Sequence, residues 1–189
     1  MGTWIFLAVL AGIVLYAISL YNTLVKNRQM AGEGWSGIDV QLKRRADLIP
    51  NLLESVKGYM THERELLEEV TRLRGQAVAG SGGSPEQRAT LEGALSGALG
   101  RLMAVAESYP DLKANENFKE FQDALEETEN EISMSRRYYN GAVRNLNVRV
   151  ASVPDLFIAR AFGFRPAALF ELERAAEAQP PRLTGERLT

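Results

Sequence analysis

Residues 35–79 read WSGIDVQLKRRADLIPNLLESVKGYMTHERELLEEVTRLRGQAVA, and apolar side chains recur along this stretch at alternating steps of three and four. This is the spacing of a heptad repeat, which places the apolar residues on one face of a long helix. The two core positions of the repeat are occupied by Trp35, Leu42, Ile49, Val56, Glu63, Val70 and Ala77, and by Ile38, Arg45, Leu52, Tyr59, Leu66 and Leu73. The stretch predicts a helix that packs against other helices along its length.

Residues 1–25, upstream of the repeat, contain no charged side chain. A hydrocarbon core of ~30 Å needs ~20 apolar helical residues, so this run has the length of one bilayer span. Trp4 at one end and Tyr16 and Tyr21 at the other are typical of the two membrane interfaces. A cleaved signal peptide is the alternative, but residues 1–3 lack Lys and Arg, and no A-x-A pattern follows the run. We therefore expect an uncleaved transmembrane anchor.

Helical signals also dominate the rest of the chain, with no competing alternating β-branched run bounded by turns. The first helix is expected to continue to about Ala79, with a bend or local break at Pro50. Three glycines at positions 93, 97 and 100 predict either close approach of another helix or a flexible loop. The further predicted elements are a turn over 80–83, a helix from the Ser84-Pro85-Glu86-Gln87 capping box to Tyr109, a helix from Asn115 to Val150, a short helix from Ser152 to Phe162 that stops at Gly163, and a last piece over 166–178.

These elements predict an all-α protein in which the N-terminal transmembrane helix leads into an antiparallel three-helix bundle closed by a short fourth helix. The predicted domains are an anchor over 1–25, a helical bundle over 26–178 and a disordered tail over 179–189. A net charge of -2 gives no basic field that favours nucleic acid. Because the chain has no cysteine, it has no disulfide, thiol nucleophile or cysteine-based metal site.

Few residues are candidates for chemistry. His62-Glu63 begins an H-E-x-x-H pattern, but residue 66 is Leu and His62 is the only histidine. The acids of residues 126–131 resemble half of a carboxylate di-metal site, but no Glu-x-x-His pair accompanies them and the heptad places Thr128 inward. We therefore expect no catalytic residue, no metal, no cofactor and no small-molecule substrate, which is the pattern of a non-enzyme.

Arg45 and Glu63 occupy core positions of the repeat, where burial is expected. They lie ~27 Å apart along one helix and cannot pair with each other. Each therefore needs a partner on another helix or a route to solvent, because an unpaired buried charge is costly. We interpret both as polar positions that set the register between helices, with snorkelling side chains as the alternative.

Helix lengths lead to a hypothesis about self-association. A second helix of ~38 Å covers only the membrane-distal part of a first helix of ~68 Å, so the third helix should start near residues 42–48 and run away from the membrane. The short fourth helix should then begin at the membrane-distal end. An apolar stripe between bundle and membrane would then lack an intramolecular partner, which is typical of an interface. The alternatives are that the chain folds back over the stripe at Pro50, or that the stripe lies on lipid. The candidate self-association residues are Leu24, Ala31, Trp35, Ile38, Leu42 and Arg45.

Several stretches resemble the signature of the LemA family, namely residues 21–25, 35–53, 56–59 with 62–63, 109–118, 126–130 with 136–140, 158–164 and 170–171. The resemblance extends over nearly the whole chain in the same order, and Val153 departs from it where the family often has Phe. It implies a bacterial single-pass membrane protein with a cytoplasmic helical bundle and no established catalytic site.

Together, the anchor, the bundle and the resemblance predict a non-enzymatic, membrane-anchored scaffold that self-associates and organises or remodels the bacterial inner membrane. The bundle is expected to face the cytoplasm because Lys26 and Arg28 follow the span. The alternative is an accessory or regulatory subunit of a membrane protease or signalling protein. The expected partners are membrane lipid, other copies of this chain and a membrane protein, and not nucleic acid.

Overall fold

The computed structural model describes residues 1–171, and every regular element in this part of the chain is a helix, as the sequence predicts. The predicted piece over 166–178 is not helical as far as residue 171. Its remainder and the predicted tail over 179–189 lie outside the described residues. The elements are α1 (Gly2–Lys57), α2 (Arg64–Ala79), a 3-10 turn (Gly80–Gly82), α3 (Pro85–Ala106), α4 (Pro110–Ala114), α5 (Glu116–Ala151) and α6 (Asp155–Ala161).

The predicted helix starts are confirmed where a side chain caps the helix. At the start of α3, Ser84 and Gln87 form the reciprocal capping box, with Pro85 in the first turn. At the start of α5, the Asn115 side chain accepts a hydrogen bond from the backbone N–H of Phe118 at 3.2 Å. Such caps satisfy backbone donors that have no partner within the helix, so they fix a helix start locally.

The short helix α6 also ends at the glycine that the sequence predicts. Gly163 has φ +70, in the left-handed region that glycine adopts without a Cβ penalty. The backbone N–H of Phe164 then donates to the carbonyl of Ala159 at 2.9 Å, which closes the last turn. Phe164 and Ala159 are both buried in one cluster, so this turn directs the following chain back onto the helices.

The first helix continues through Pro50 without a break. Proline has no N–H and therefore leaves the carbonyl four residues earlier, that of Ala46, without its helical donor. The Arg74 Nε of α2 donates to this carbonyl at 3.1 Å. The neighbouring helix thus supplies the hydrogen bond that Pro50 removes.

The predicted continuation of the first helix to Ala79 is wrong. Helix α1 ends at Lys57, the chain reverses over residues 58–63, and α2 returns along α1 so that Arg74 lies beside Ala46. Gly58 lowers helix propensity at the reversal, and Met60 is fully buried there in the same core as Val56. Glu63 consequently lies at the start of α2, where it accepts a hydrogen bond from Tyr109 Oη at 3.2 Å, and not on a continuous seam.

Because of this extra reversal, four helices lie side by side instead of three. Helix α3 runs parallel to α1, since Arg88 meets Asp39 and Ser96 meets Arg45. Helix α5 runs antiparallel to α1 along nearly the whole of its length, from the Asn115–Tyr59 hydrogen bond to the packing of Val150 near Leu24. The helices α1 and α5 approach closely at Gly34, where an added methyl group would lie 2.9 Å from the Cα of Tyr139.

Buried apolar side chains form three clusters along α1. The cluster farthest from the apolar N-terminal run joins α1 to α5 with α2, α3 and α4, and contains Ile49, Val56, Val70, Leu95, Leu102 and Leu112 among others. The middle cluster joins α1 and α5 with Phe170 of the extended segment after α6. The cluster nearest the apolar N-terminal run contains Leu24, Leu146, Val150, Ala159 and Phe164.

Candidate functional site: an uncovered apolar helix and an open groove

Residues 1–16, which are Met1 and the first fifteen residues of α1, pack against nothing in the described chain. All of them are exposed, from Met1 to Tyr16, and coverage begins with Ala17. Within Gly2–Lys57 an apolar window has a mean hydropathy of 2.3 and is 0% buried, and α1 is the one described helix long and apolar enough to cross a membrane. The exposed large apolar side chains within residues 1–18 are Met1, Trp4, Ile5, Phe6, Leu7, Val9, Leu10, Ile13, Val14, Leu15, Tyr16 and Ile18.

Arg45 is the largest completely buried side chain, with 0% exposure. Its Nη2 lies 2.5 Å from Oε2 of Glu92 on α3, and its Nη1 lies 2.5 Å from Oε1 of Glu129 on α5. The Nη1 also donates to the Ser96 hydroxyl. The predicted need for a partner on another helix is therefore confirmed, because two carboxylates from two different helices neutralise this guanidinium.

A second buried arginine lies next to the first. Arg88 Nη1 lies 2.6 Å from the Asp39 carboxylate and donates to the carbonyl of Ser81 at 2.7 Å. Its Nε is 3.8 Å from Glu92, beyond hydrogen-bond distance, and its guanidinium lies 5.9 Å from the Trp35 ring centroid. Buried Glu92 is thus shared between two arginines, which joins α1 to α3 through charge.

An open groove of about 1010 Å³ lies between α3 and α5. The two helices have almost no close backbone approach, although each packs on α1 or α2. One wall carries the small residues Gly93, Gly97 and Gly100, and the other wall carries Leu125, Ile132 and Arg136. A Cβ added at Gly97 or Gly100 would meet no atom within 4 Å, so no helix within residues 1–171 approaches these glycines closely. Glu129 and Ser96 also line the groove, which places Arg45 beneath it.

The predicted self-association residues are not exposed. Leu24, Ala31, Ile38, Leu42 and Arg45 are buried within the chain, and Trp35 is partly buried between Tyr139 and Phe170. The prediction that this stripe lacks an intramolecular partner is wrong, because the C-terminal half of α5 and the segment after α6 cover it. The short fourth helix likewise lies beside Tyr21 and Leu24, and not at the membrane-distal end. Self-association itself stays a prediction, but these residues are not available for it in this conformation.

Two asparagines of α5 that were not predicted as functional residues fix the segment after α6 against the bundle. Asn140 donates from Nδ2 to the carbonyl of Phe170 at 3.0 Å and accepts from the Phe170 N–H at 2.9 Å. Asn147 makes the same pair of hydrogen bonds with Ala167, at 2.9 and 2.8 Å. Their spacing of seven residues is the feature of the sequence that could have indicated this role. Two amide side chains on one face of a helix can both pair with the backbone of a neighbouring segment.

Tyr139 adds a third contact to the same segment, because its hydroxyl donates to the carbonyl of Ala168 at 2.7 Å. Burial raises the pKa of the Tyr139 hydroxyl from its ordinary value of 10.0, and the charge of Glu86 adds to the shift. The neutral hydroxyl is the form that can donate this hydrogen bond.

The other residues singled out for chemistry lie apart from one another. His62 is exposed in the turn between α1 and α2. In the acidic run, Thr128 faces inward as predicted, while Glu126 and Glu127 are exposed. Among residues 1–171 no group of three or more His, Asp or Glu side chains is placed to hold a metal ion.

The sequence is similar to known proteins over most of its length. The family model described as LemA matches residues 34–184. The magnetosome proteins MamQ 1 and MamQ 2 of Paramagnetospirillum magneticum are each 27% identical to this chain, over 83% of it and 66% of their own length. The protein LemA of Metamycoplasma hominis is 25% identical over 81% of this chain and 71% of its own. The chain thus spans just under two thirds of the length of the MamQ relatives.

Proposed function

Because this chain belongs to the LemA family, we propose that it is a non-enzymatic, membrane-anchored helical scaffold that self-associates and organises or remodels the bacterial inner membrane. One observation carries the proposal: α1 is a single helix whose first fifteen residues are exposed and uncharged and whose later residues form the bundle core. A force or tilt on the bundle would therefore be transmitted directly to the membrane span, since no flexible linker separates them. The similarity to proteins named as magnetosome proteins adds support for a role in organising a membrane.

The anchor also gives the proposal an orientation. Lys26 and Arg28 are the first charged residues after the span, and cytoplasmic flanks of membrane helices carry an excess of such cations. We therefore place the bundle on the cytoplasmic side of a single-pass protein.

Self-association needs a surface, and we assign it to the groove between α3 and α5. A groove with small residues on one wall and apolar residues on the other suits the apolar face of an added helix. The anchor holds every copy at the same height in one membrane, so the natural occupant is a helix of a second copy. A contact between a groove and a different surface of the next copy is heterologous and generates rings or larger arrays.

The experiment measures the size of the purified full-length protein in mild detergent. We expect one homogeneous assembly much larger than a monomer, formed by this chain alone. Gly97→Trp should reduce its size, because the indole would occupy the groove from a position where an added Cβ meets no atom within 4 Å, so the groove can be blocked without a backbone clash. The matched control is Gly75→Trp on α2, which is also exposed with nothing within 4 Å and lies outside the groove.

Two results would overturn the proposal in different ways. If Gly97→Trp and Gly75→Trp both keep the wild-type size, the groove is not the contact. If the wild type is a small species that grows only when a membrane protease or signalling protein is added, the chain is an accessory subunit and not a self-associating scaffold.

A further inference from the structure

The end of the bundle nearest the apolar run of α1 exposes large apolar side chains outside α1. Val148, Val153, Phe157 and Phe162 are each more than 60% exposed. In α6, Asp155 and Ala159 are buried against the bundle, so Phe157, midway between them in sequence, lies on the opposite face of the helix. Exposed aromatic residues grouped at one end of a molecule mark a surface that is covered in the functional state.

The position of α6 along α1 indicates that this surface lies next to the membrane span. The Phe162 ring packs edge-on against Tyr21, with 4.8 Å between ring centroids. Tyr21 lies five residues before Lys26, the first charged residue of the chain, which is ~8 Å along the helix axis. Helix α6 therefore meets α1 inside the uncharged run and not above it.

The charged side chains at this end of the bundle are mostly positive, which favours an anionic membrane surface as the partner. Residues 1–32 and 141–165 contain the cations Lys26, Arg28, Arg144, Arg149, Arg160 and Arg165. The only acid in these ranges is Asp155, which is buried and lies 3.2 Å from Arg149. The whole chain nevertheless has a net charge of -2, so positive charge is concentrated at this end. A cavity of about 630 Å³ here is lined by Lys26 and Arg149 together with Thr23 and Asn27.

We propose that α6 and its flanking turns, residues 153–165, are a second membrane-contacting element that inserts Phe157, Phe162 and Val153 into the interface of an anionic bilayer. The partner is the lipid of the leaflet that α1 enters. The surrounding cations contact its headgroups, because basic side chains close to an anionic surface are attracted to it. The inference rests on the proposed anchor, since α1 sets the height of α6. Its consequence is that the bundle contacts the membrane at two points and has a fixed tilt.

The chain contains no cysteine, so single labels can be placed cleanly. Full-length variants Phe157→Cys, Val14→Cys and Val78→Cys are labelled with an environment-sensitive fluorophore and reconstituted into vesicles of phosphatidylcholine with and without phosphatidylglycerol. Lipids that carry a spin label near the headgroup then quench fluorophores at the interface. All three positions are exposed apolar side chains, and Val78 lies at the end of α2, ~30 Å from Tyr21 along α1.

We expect quenching at Phe157 to be several-fold greater than at Val78 and to increase with phosphatidylglycerol. Arg160→Glu with Arg165→Glu should abolish that increase, whereas the control pair Lys43→Glu with Arg137→Glu, at exposed positions farther along the bundle, should leave it unchanged. If Val14 is shielded from water but Phe157 behaves like Val78, the second contact does not exist and the anchor stands. If Val14 itself stays in water, the proposed anchor is wrong, and the second contact is overturned with it.

Discussion

At the scale of single residues, Arg45 shows what the heptad pattern can and cannot predict. The pattern places Arg45 in the core and therefore requires a carboxylate partner, and both are observed. It does not identify Glu92 or Glu129 as the partners. Glu92 lies on α3, and the direction of α3 depends on the reversal at residues 58–63, which the pattern does not reveal. Glu129 belongs to an acidic run whose composition predicts a solvent-exposed face.

The buried position of Arg45 predicts a large cost when its charge is removed. Arg45→Met leaves the buried Glu92 carboxylate with only the more distant Arg88, so we expect a loss of about 3–5 kcal/mol in the free energy of unfolding. Arg45→Glu should be worse, because it adds a third carboxylate to the site. The measurement is urea unfolding followed by circular dichroism.

The neighbouring residue supplies the control. Arg44 pairs with Glu127 at 2.7 Å, but both side chains are exposed, so Arg44→Met should cost about 0–1 kcal/mol. Equal costs for Arg44→Met and Arg45→Met would mean that Arg45 is solvated in solution and that the buried cluster does not persist.

At the scale of the elements, helix starts were predictable and the end of α1 was not. Caps such as Ser84 and Asn115 act within four residues, so the sequence alone displays them. The heptad spacing continues through residues 58–63, with Glu63 as its only charged core position there, because α1 and α2 both direct their apolar faces into one core. Periodicity reports which face is buried, and it does not report whether the helix is continuous.

Pro50 and Arg74 predict a coupling between two helices. In the wild type, Arg74→Met removes the donor to the Ala46 carbonyl and should cost about 1 kcal/mol beyond its lost packing. In a Pro50→Ala background the backbone N–H of residue 50 satisfies that carbonyl, so the same change should cost less. A double-mutant cycle of unfolding free energies measures the difference. Additive costs would show that the Arg74 hydrogen bond does not compensate for the proline.

At the scale of the whole molecule, one reversal of the chain changed the predicted site. With α1 continuing to Ala79, the third long helix would run away from the membrane and leave Leu24 and Ile38 uncovered. With the additional turn at residues 58–63, α5 runs toward the apolar N-terminal end of α1 instead and covers both. One missed turn inverts the directions of α3 and α5, so an error over six residues becomes an error about which surface of the bundle is exposed.

The same packing predicts how much of α1 belongs to the folded bundle. Residues 2–16 contact nothing else in the described chain, so a variant lacking them should keep the stability of the bundle. A variant lacking residues 2–27 also loses Leu24, which is fully buried among Leu146, Ala159 and Phe164. Loss of a buried leucine side chain costs about 2–5 kcal/mol, and Tyr21 is lost with it, so the shorter variant should unfold at a clearly lower urea concentration. Coincident unfolding curves for the two truncated chains would show that the cluster around Leu24 does not stabilise the bundle, and that α6 is not held against α1.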